Sequence, residues 1–351
     1  MAKEKFLIAD DFHDTRFFRP GEPMPYAFTS GLLRDELVKR LPGLDVVWAK
    51  SRDEMLREIV DADFLAVRDQ VRRADLEKGP KLRWLHMSSS GADHCFKVSD
   101  IDPDYFRARR IVVTISPGAV SVVLAEQVLC FMGMFSRNML KALRQQRQRK
   151  WRRYWGGELC GQTLGIIGLG AIGSAAARLA KCYGMVVIGA EPRPTAASRA
   201  ADEILAPERY PEILERSDFV LLACPITDAT RKIIDARTLA MMKPTACLLN
   251  VARGECVDEP ALVRALKSGA VAGYASDNHG DASGALSGDT LEVLSPESEL
   301  WGLDNVIIVP NCAEAGPRRY VYMAEIIANN YLDMKAGKEP RTRLVWEGRP
   351  V

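Results

Sequence analysis

Residues 163 to 180 read TLGIIGLGAIGSAAARLA. An apolar run ends in Gly168, Gly170 and Gly173, spaced as GxGxxG, and an alanine-rich helical pattern opens directly behind them. Alone, that spacing is a weak signal. Here the strand, the turn, the helix and a second apolar run, MVVIGAE, follow in the order of a βαβ unit that cradles a dinucleotide. Gly168 makes the tight turn, Gly170 lets a pyrophosphate approach the backbone, and Gly173 lets helix and strand pack. The first helical residues, Ala171 and Ile172, then point N–H groups at the phosphates. Glu191 ends the second strand. A carboxylate there accepts hydrogen bonds from the ribose hydroxyls of NAD and repels the 2′-phosphate of NADP, so NAD is the expected cofactor. Arg193, two residues later, leaves NADP open.

Working outward, the same rhythm continues through DFVLLACP, ACLLNVARG, EPALVRALKSG, VAGYASD and VIIVP. Strands this continuously apolar belong to a parallel sheet with helices on both faces. Upstream, KFLIAD, GLLRDELVKRL, DVVWA, RDEMLREIV, FLAVR and RWLHMS form an earlier series of the same kind. Between the two lies a helical pattern of roughly thirty residues, from Ser121 to about Trp151. A last amphipathic helix, 317 to 335, lies beyond the final strand and is expected to return to the first series. The reading is therefore an α/β protein of two doubly wound parallel-sheet domains, Rossmann-like and flavodoxin-like. Residues 1–115 with 317–351 make one, completed by the C-terminal helix, and residues 116–316 make the NAD-binding one.

Bulk composition sets limits on partners. The 351 residues are 47% apolar and 27% charged with a net charge of +2, a globular balance without a global footprint for nucleic acid or membrane. The basic run KALRQQRQRKWRR, 141 to 153, lacks interleaved aromatics beyond Trp151 and reads as a solvated or subunit-facing surface. The eight cysteines are scattered without CxxC or a histidine cluster, which predicts free thiols and no metal. MAKEKFLIADD carries no apolar leader, and Glu126 and Gln127 interrupt SVVLAEQVLCFMGMF, so a cytoplasmic protein is expected.

Five stretches together resemble the D-isomer-specific 2-hydroxyacid dehydrogenases: LRWLHMSSSGADH, VLAEQVL, LACPITDATRKII, LLNVARGECVDEPALVRAL and ELWGLDNVIIVP. The resemblance implies an NAD(H)-dependent oxidoreductase that moves hydride between nicotinamide and C2 of a 2-hydroxy or 2-oxo acid. It places the catalytic arginine at Arg253, where a guanidinium at a strand end offers a planar fork to a carboxylate. It also places substrate-binding N–H groups at Ser89, Ser90 and Gly91. On the cofactor side it places Cys224, Pro225 and Thr230 over the nicotinamide ribose, with Val251, Ala252, Asp277 and Asn311. The partner glutamate falls on Glu292 in EVLSPESELW, behind a segment about ten residues longer than the family's. A subunit contact through the helix 121–151 is implied as well, with Val122, Leu129, Met132 and Phe135 available for a homodimer.

One position departs from the family. Asn311 stands where the family carries its proton-donating histidine, and an amide donates a hydrogen bond but not a proton. The chain has only His13, His86, His94 and His279. His86 and His94 flank the substrate loop, and His13 lies in a distal loop. His279, two residues past Asp277, is the best-placed alternative acid, against the plainer reading of a solvated loop histidine. The alternative function is an NAD(H)-binding sensor or regulatory protein on the same fold, because fold and nucleotide site alone do not establish catalysis.

Overall fold

The computed structural model describes residues 3–9, 29–67, 71–89, 101–279, 294–316, 318–346 and 349–350. The chain divides into two compact units, Met1–Val120 with Ala315–Val351, and Ser121–Glu314.

The first unit is a five-stranded sheet of β1 (Lys5–Ala9), β2 (Asp45–Trp48), β3 (Phe64–Val67), β4 (Trp84–Met87) and β5 (Val112–Ile115). They run parallel in the order β2-β1-β3-β4-β5. Both faces are buried, which is why FLAV and WLHM are apolar without alternation. Phe6, Ile8, Phe64 and Trp84 pack on one side with Leu33 and Leu37 of the helix Ser30–Arg40. Tyr320, Met323, Ala324 and Ile327 of the helix Arg319–Lys335 close the same side, at the i, i+3, i+4, i+7 spacing of one helical face. Burying a side chain the size of Met323 or Ile327 contributes about 1.5–3 kcal/mol relative to exposure. The C-terminal helix thus does return to this unit. Residues 342–344 also pair with β5, a ladder that the sequence reading did not specify: Leu344 N–H donates to the Val113 carbonyl at 2.8 Å and Ile115 N–H to the Thr342 carbonyl at 3.1 Å.

Beneath this core runs a buried polar chain. Trp84 Nε1 donates to Thr114 Oγ1 at 2.8 Å, His86 Nδ1 meets the same oxygen at 2.8 Å, and His86 Nε2 meets Ser116 Oγ at 2.7 Å. Burial drives the His86 pKa down to about 3, so the ring is neutral and structural.

The second unit is a seven-stranded sheet, all parallel, in the order β12-β11-β10-β9-β6-β7-β8. Its strands are β6 (Thr163–Ile167), β7 (Val186–Ala190), β8 (Glu203–Leu205), β9 (Phe219–Leu222), β10 (Cys247–Asn250), β11 (Gly273–Ser276) and β12 (Val306–Ile308). Strand order reverses between β6 and β9, the switch point at which doubly wound sheets open a crevice beyond their carboxyl ends. The edge strand β8 escapes a sequence reading because three residues carry no period.

The expected continuous helix from Ser121 to Trp151 is corrected. Two helices occupy the stretch, Ser121–Ser136 and Met139–Arg147, separated at Asn138, whose φ of 52° is left-handed. The cause is the chain folding back at 155–157. Gly157 N–H donates to the Ser136 carbonyl at 2.6 Å, Arg137 to the Gly157 carbonyl at 2.9 Å, and Asn138 Nδ2 to the Trp155 carbonyl at 2.7 Å. These bonds replace the next helical turn. Met132, one of the residues offered to a partner, is already buried, and Phe135 lies over Gly273, where any Cβ would clash with its ring.

Candidate active site

The glycine turn leaves β6 as its spacing requires. Gly168 has φ of 100°, and a Cβ there would stand 2.7 Å from the Ala223 carbonyl oxygen. A Cβ on Gly173 would overlap the Gly168 carbonyl, whereas around Gly170 nothing lies within 4 Å. The first and third glycines are thus demanded by packing, and the second faces open space. Ser174 and Ser198 brace the turn, both donating to the Leu169 carbonyl at 2.8 and 3.0 Å. The helix Ala171–Cys182 begins at Gly170 with no side-chain cap, and Ala171 is exposed. Uncapped N–H groups beside an open glycine fit a pyrophosphate. Half-buried Glu191 follows β7, its Oε1 accepting the Arg193 N–H at 3.2 Å.

Beyond β9, Cys224 is buried in the same apolar cluster as Cys256. The loop after it is closed locally. Thr230 Oγ1 donates to the Pro225 carbonyl and accepts from Thr227 N–H, both at 2.7 Å.

Beyond β10 comes the arginine turn, with Val251 and Ala252 buried and Arg253 half-buried. Asn250 holds this turn from inside: Nδ2 donates to the Arg253 carbonyl and Oδ1 accepts from Ala252 N–H, both at 2.9 Å. Asn278 Nδ2 donates to the Ala252 carbonyl at 3.0 Å. Both asparagines went unread in the sequence. Their signal was an amide closing an apolar strand, where a buried polar group needs backbone partners.

Asp277 follows β11 and is 2% exposed. One carboxylate oxygen accepts from Cys312 N–H at 2.8 Å and Ala313 N–H at 3.0 Å. Burial outweighs those two bonds and, with Glu314 nearby, pushes the carboxyl pKa up to about 6. Asn311 sits against it beyond β12, its N–H donating to the Asp277 carbonyl at 2.9 Å. Its φ is 51°, a left-handed value that asparagine tolerates better than most residues. Its side-chain amide has no hydrogen-bond partner among the described residues.

His279 is not a solvated loop residue. It is 4% exposed, edge-on to Tyr274, and its Nε2 bonds the Ser276 carbonyl at 2.9 Å. Since a carbonyl only accepts, that nitrogen carries the ring's proton, and burial lowers the pKa. Ser89, in the first unit, follows β4, and its carbonyl accepts from Ser116 N–H at 2.8 Å. Ser90, Gly91, Glu292, His13 and His94 lie outside the described residues.

Within the second unit, then, the glycine turn, the loop from Cys224 to Thr230, the Arg253 turn, Asp277 and Asn311 all gather at the carboxyl ends of the strands. Sheet and turn define a dinucleotide-binding protein of the Rossmann class. Residues 129–313 match the family model described as D-isomer specific 2-hydroxyacid dehydrogenase, NAD binding domain. A glyoxylate reductase of Pyrococcus furiosus is 32% identical over 316 residues, covering 84% of this chain and 87% of that protein. A D-3-phosphoglycerate dehydrogenase of Methanocaldococcus jannaschii is 33% identical over 284 residues, 79% of this chain and 50% of that one. Among solved structures, a D-lactate dehydrogenase of Treponema pallidum aligns with a TM-score of 0.78 at 21% identity, over 97% of this chain and 100% of the other. A D-isomer specific 2-hydroxyacid dehydrogenase of Xanthobacter autotrophicus, in complex with NADPH and MES, aligns at 0.75 and 25% identity, over 98% of each chain. The chain belongs to the D-isomer specific 2-hydroxyacid dehydrogenase family, as an NAD-dependent oxidoreductase acting on CH–OH groups.

Proposed function

We propose that the protein interconverts a small 2-oxo acid and its 2-hydroxy acid, with NAD favoured over NADP. The observation that carries this is the Arg253 turn, fixed by Asn250 and Asn278 beside the buried Asp277–Asn311 corner. Gly168, Gly170, Ala171 and Ile172 hold the pyrophosphate, and Glu191 holds the adenosine ribose. When bound, the dinucleotide supplies or accepts the hydride at C2. Arg253 binds the substrate carboxylate and polarises the neighbouring carbonyl. The Asn311 amide donates a hydrogen bond to the oxygen on which charge develops.

The proton is assigned to Asp277. Its one oxygen is fixed by two N–H groups, which leaves the other to carry a proton near neutral pH. His279 is set aside because its N–H faces the Ser276 carbonyl. Glu292 stays the partner of Asn311 that the resemblance implies.

The test is NADH oxidation against a panel of 2-oxo acids, with glyoxylate first because relatives are named glyoxylate reductase, and a parallel NADH titration. Turnover on any acid is the expected result. Tight NADH binding with no turnover on the whole panel would establish the second reading, a nucleotide sensor, which Asn311 at the histidine position favours.

The assembly proposed is a homodimer over the two helices that follow residue 120. Trp151 is 99% and Trp155 94% exposed, with Val122, Met139 and Leu143 exposed in the same unit. Tryptophans bare to this degree mark a contact surface.

A further inference from the structure

At the amino ends of β4 and β5 the first unit holds a cavity of about 310 Å³. Arg83, just before β4, and Arg110, just before β5, line it with Lys335, Lys338 and Arg343 from the C-terminal helix and the chain beyond. Tyr331 gives it an aromatic wall, with Trp84 buried behind. Glu339 is the one carboxylate in the lining, and Arg343 pairs with it. Outside the lining, Glu4 takes Arg83 and, at 3.4 Å, Lys335, and Asp63 lies 3.5 Å from Arg83 Nε. Arg110 and Lys338 have no side-chain partner among the described residues.

Two features set this apart from an ordinary solvated surface. Arg83, Lys335 and Arg343 are paired with Glu4, Asp63 and Glu339, so the groove's positive excess is carried by Arg110 and Lys338, each raising the potential the other feels. Moreover, Arg110 adopts φ of 56° at the end of the helix Pro103–Arg109, a left-handed position that glycine or asparagine occupies at lower cost. Helix termination alone does not select arginine there.

We propose that this groove binds a small polyanion, a molecule with two or more carboxylate or phosphate groups, by Arg110 and Lys338 at the rim with its body against Tyr331. The lining suits such a ligand: guanidinium forks pair with either oxyanion, and an aromatic wall covers a planar or apolar frame.

The experiment is calorimetric titration of the full-length protein, saturated with NADH to fill the dinucleotide turn, with citrate and with pyrophosphate at constant ionic strength. The same titration is run on Arg110→Gly and on Lys338→Ser. Glycine relieves the left-handed backbone, so Arg110→Gly should melt at or above the wild-type temperature with NADH affinity unchanged, which separates binding from folding. Saturable binding of at least one probe, weakened about tenfold or more in each variant, is expected. Preference between probes identifies carboxylate or phosphate as the recognised group. No saturable heat with either probe, or equal binding in wild type and both variants, overturns the proposal.

Discussion

The resemblance puts Asn311 where the family places a histidine, and the proposed function gives its amide a hydrogen-bonding role. If Asn311 donates only a hydrogen bond, Asn311→Ala should slow turnover on the order of tenfold to a hundredfold. Arg253→Ala should remove nearly all turnover and leave the NADH dissociation constant unchanged, because the guanidinium acts on the acid. Steady-state rates and a fluorescence titration separate the two effects. Asp277 makes a prediction about pH. If it supplies the proton, reductive kcat/KM falls as pH rises through about 6, and Asp277→Asn lacks that limb. Its effect on stability has a definite sign. The folded carboxyl titrates near 6 and the unfolded one near 4, so between those values the native state binds more protons and wild type loses stability as pH rises. Relative to Asp277→Asn, that loss should be on the order of 2–3 kcal/mol, measured by denaturant melts across the window. The strand-end positions of Arg253, Asp277 and Asn311 were legible in the sequence because each lies within three residues of the end of an apolar strand. The burial of His279 was not, since it depends on Tyr274 and the Ser276 carbonyl closing over the ring.

At the level of elements, the two helices either side of Asn138 show what periodicity cannot reveal. MLKALRQQR continues a helical pattern, so the sequence gives no reason to stop at Ser136. The stop comes from Gly157, nineteen residues past Asn138, whose N–H takes the Ser136 carbonyl at 2.6 Å. The edge strand β8 and the 342–344 pairing escaped for the same reason, since short backbone ladders depend on neighbours remote in sequence. The long strands β6, β7, β9 and β10 were legible because burial on both faces makes them continuously apolar. In the first unit, Thr114 joins β5 to β4 by accepting from Trp84 and meeting His86. Thr114→Val keeps the shape and leaves the indole N–H unpaired, at a cost of about 1–3 kcal/mol in a denaturant melt. Thr114→Ser retains the hydroxyl and should recover most of it.

On the scale of the molecule, the exposed tryptophans make oligomeric state the sharpest test. Light scattering at micromolar concentration should return a dimer, and Trp151→Ala with Trp155→Ala should shift it toward monomer. A monomeric wild type would remove the assembly from the proposal. The first unit, meanwhile, is assembled from chain on both sides of the second. Phe6, Ile8, Phe64 and Trp84 all pack with residues of the helix Arg319–Lys335. On the ribosome this reverses the usual order of events: the second unit has all its strands once residue 314 has emerged, while the first must wait with one face of its sheet covered only in part, by the helix Ser30–Arg40. Synthesis of the intervening residues, at about 5–20 per second, keeps that aromatic face partly open for roughly ten seconds or more, the interval in which a chaperone has something to hold.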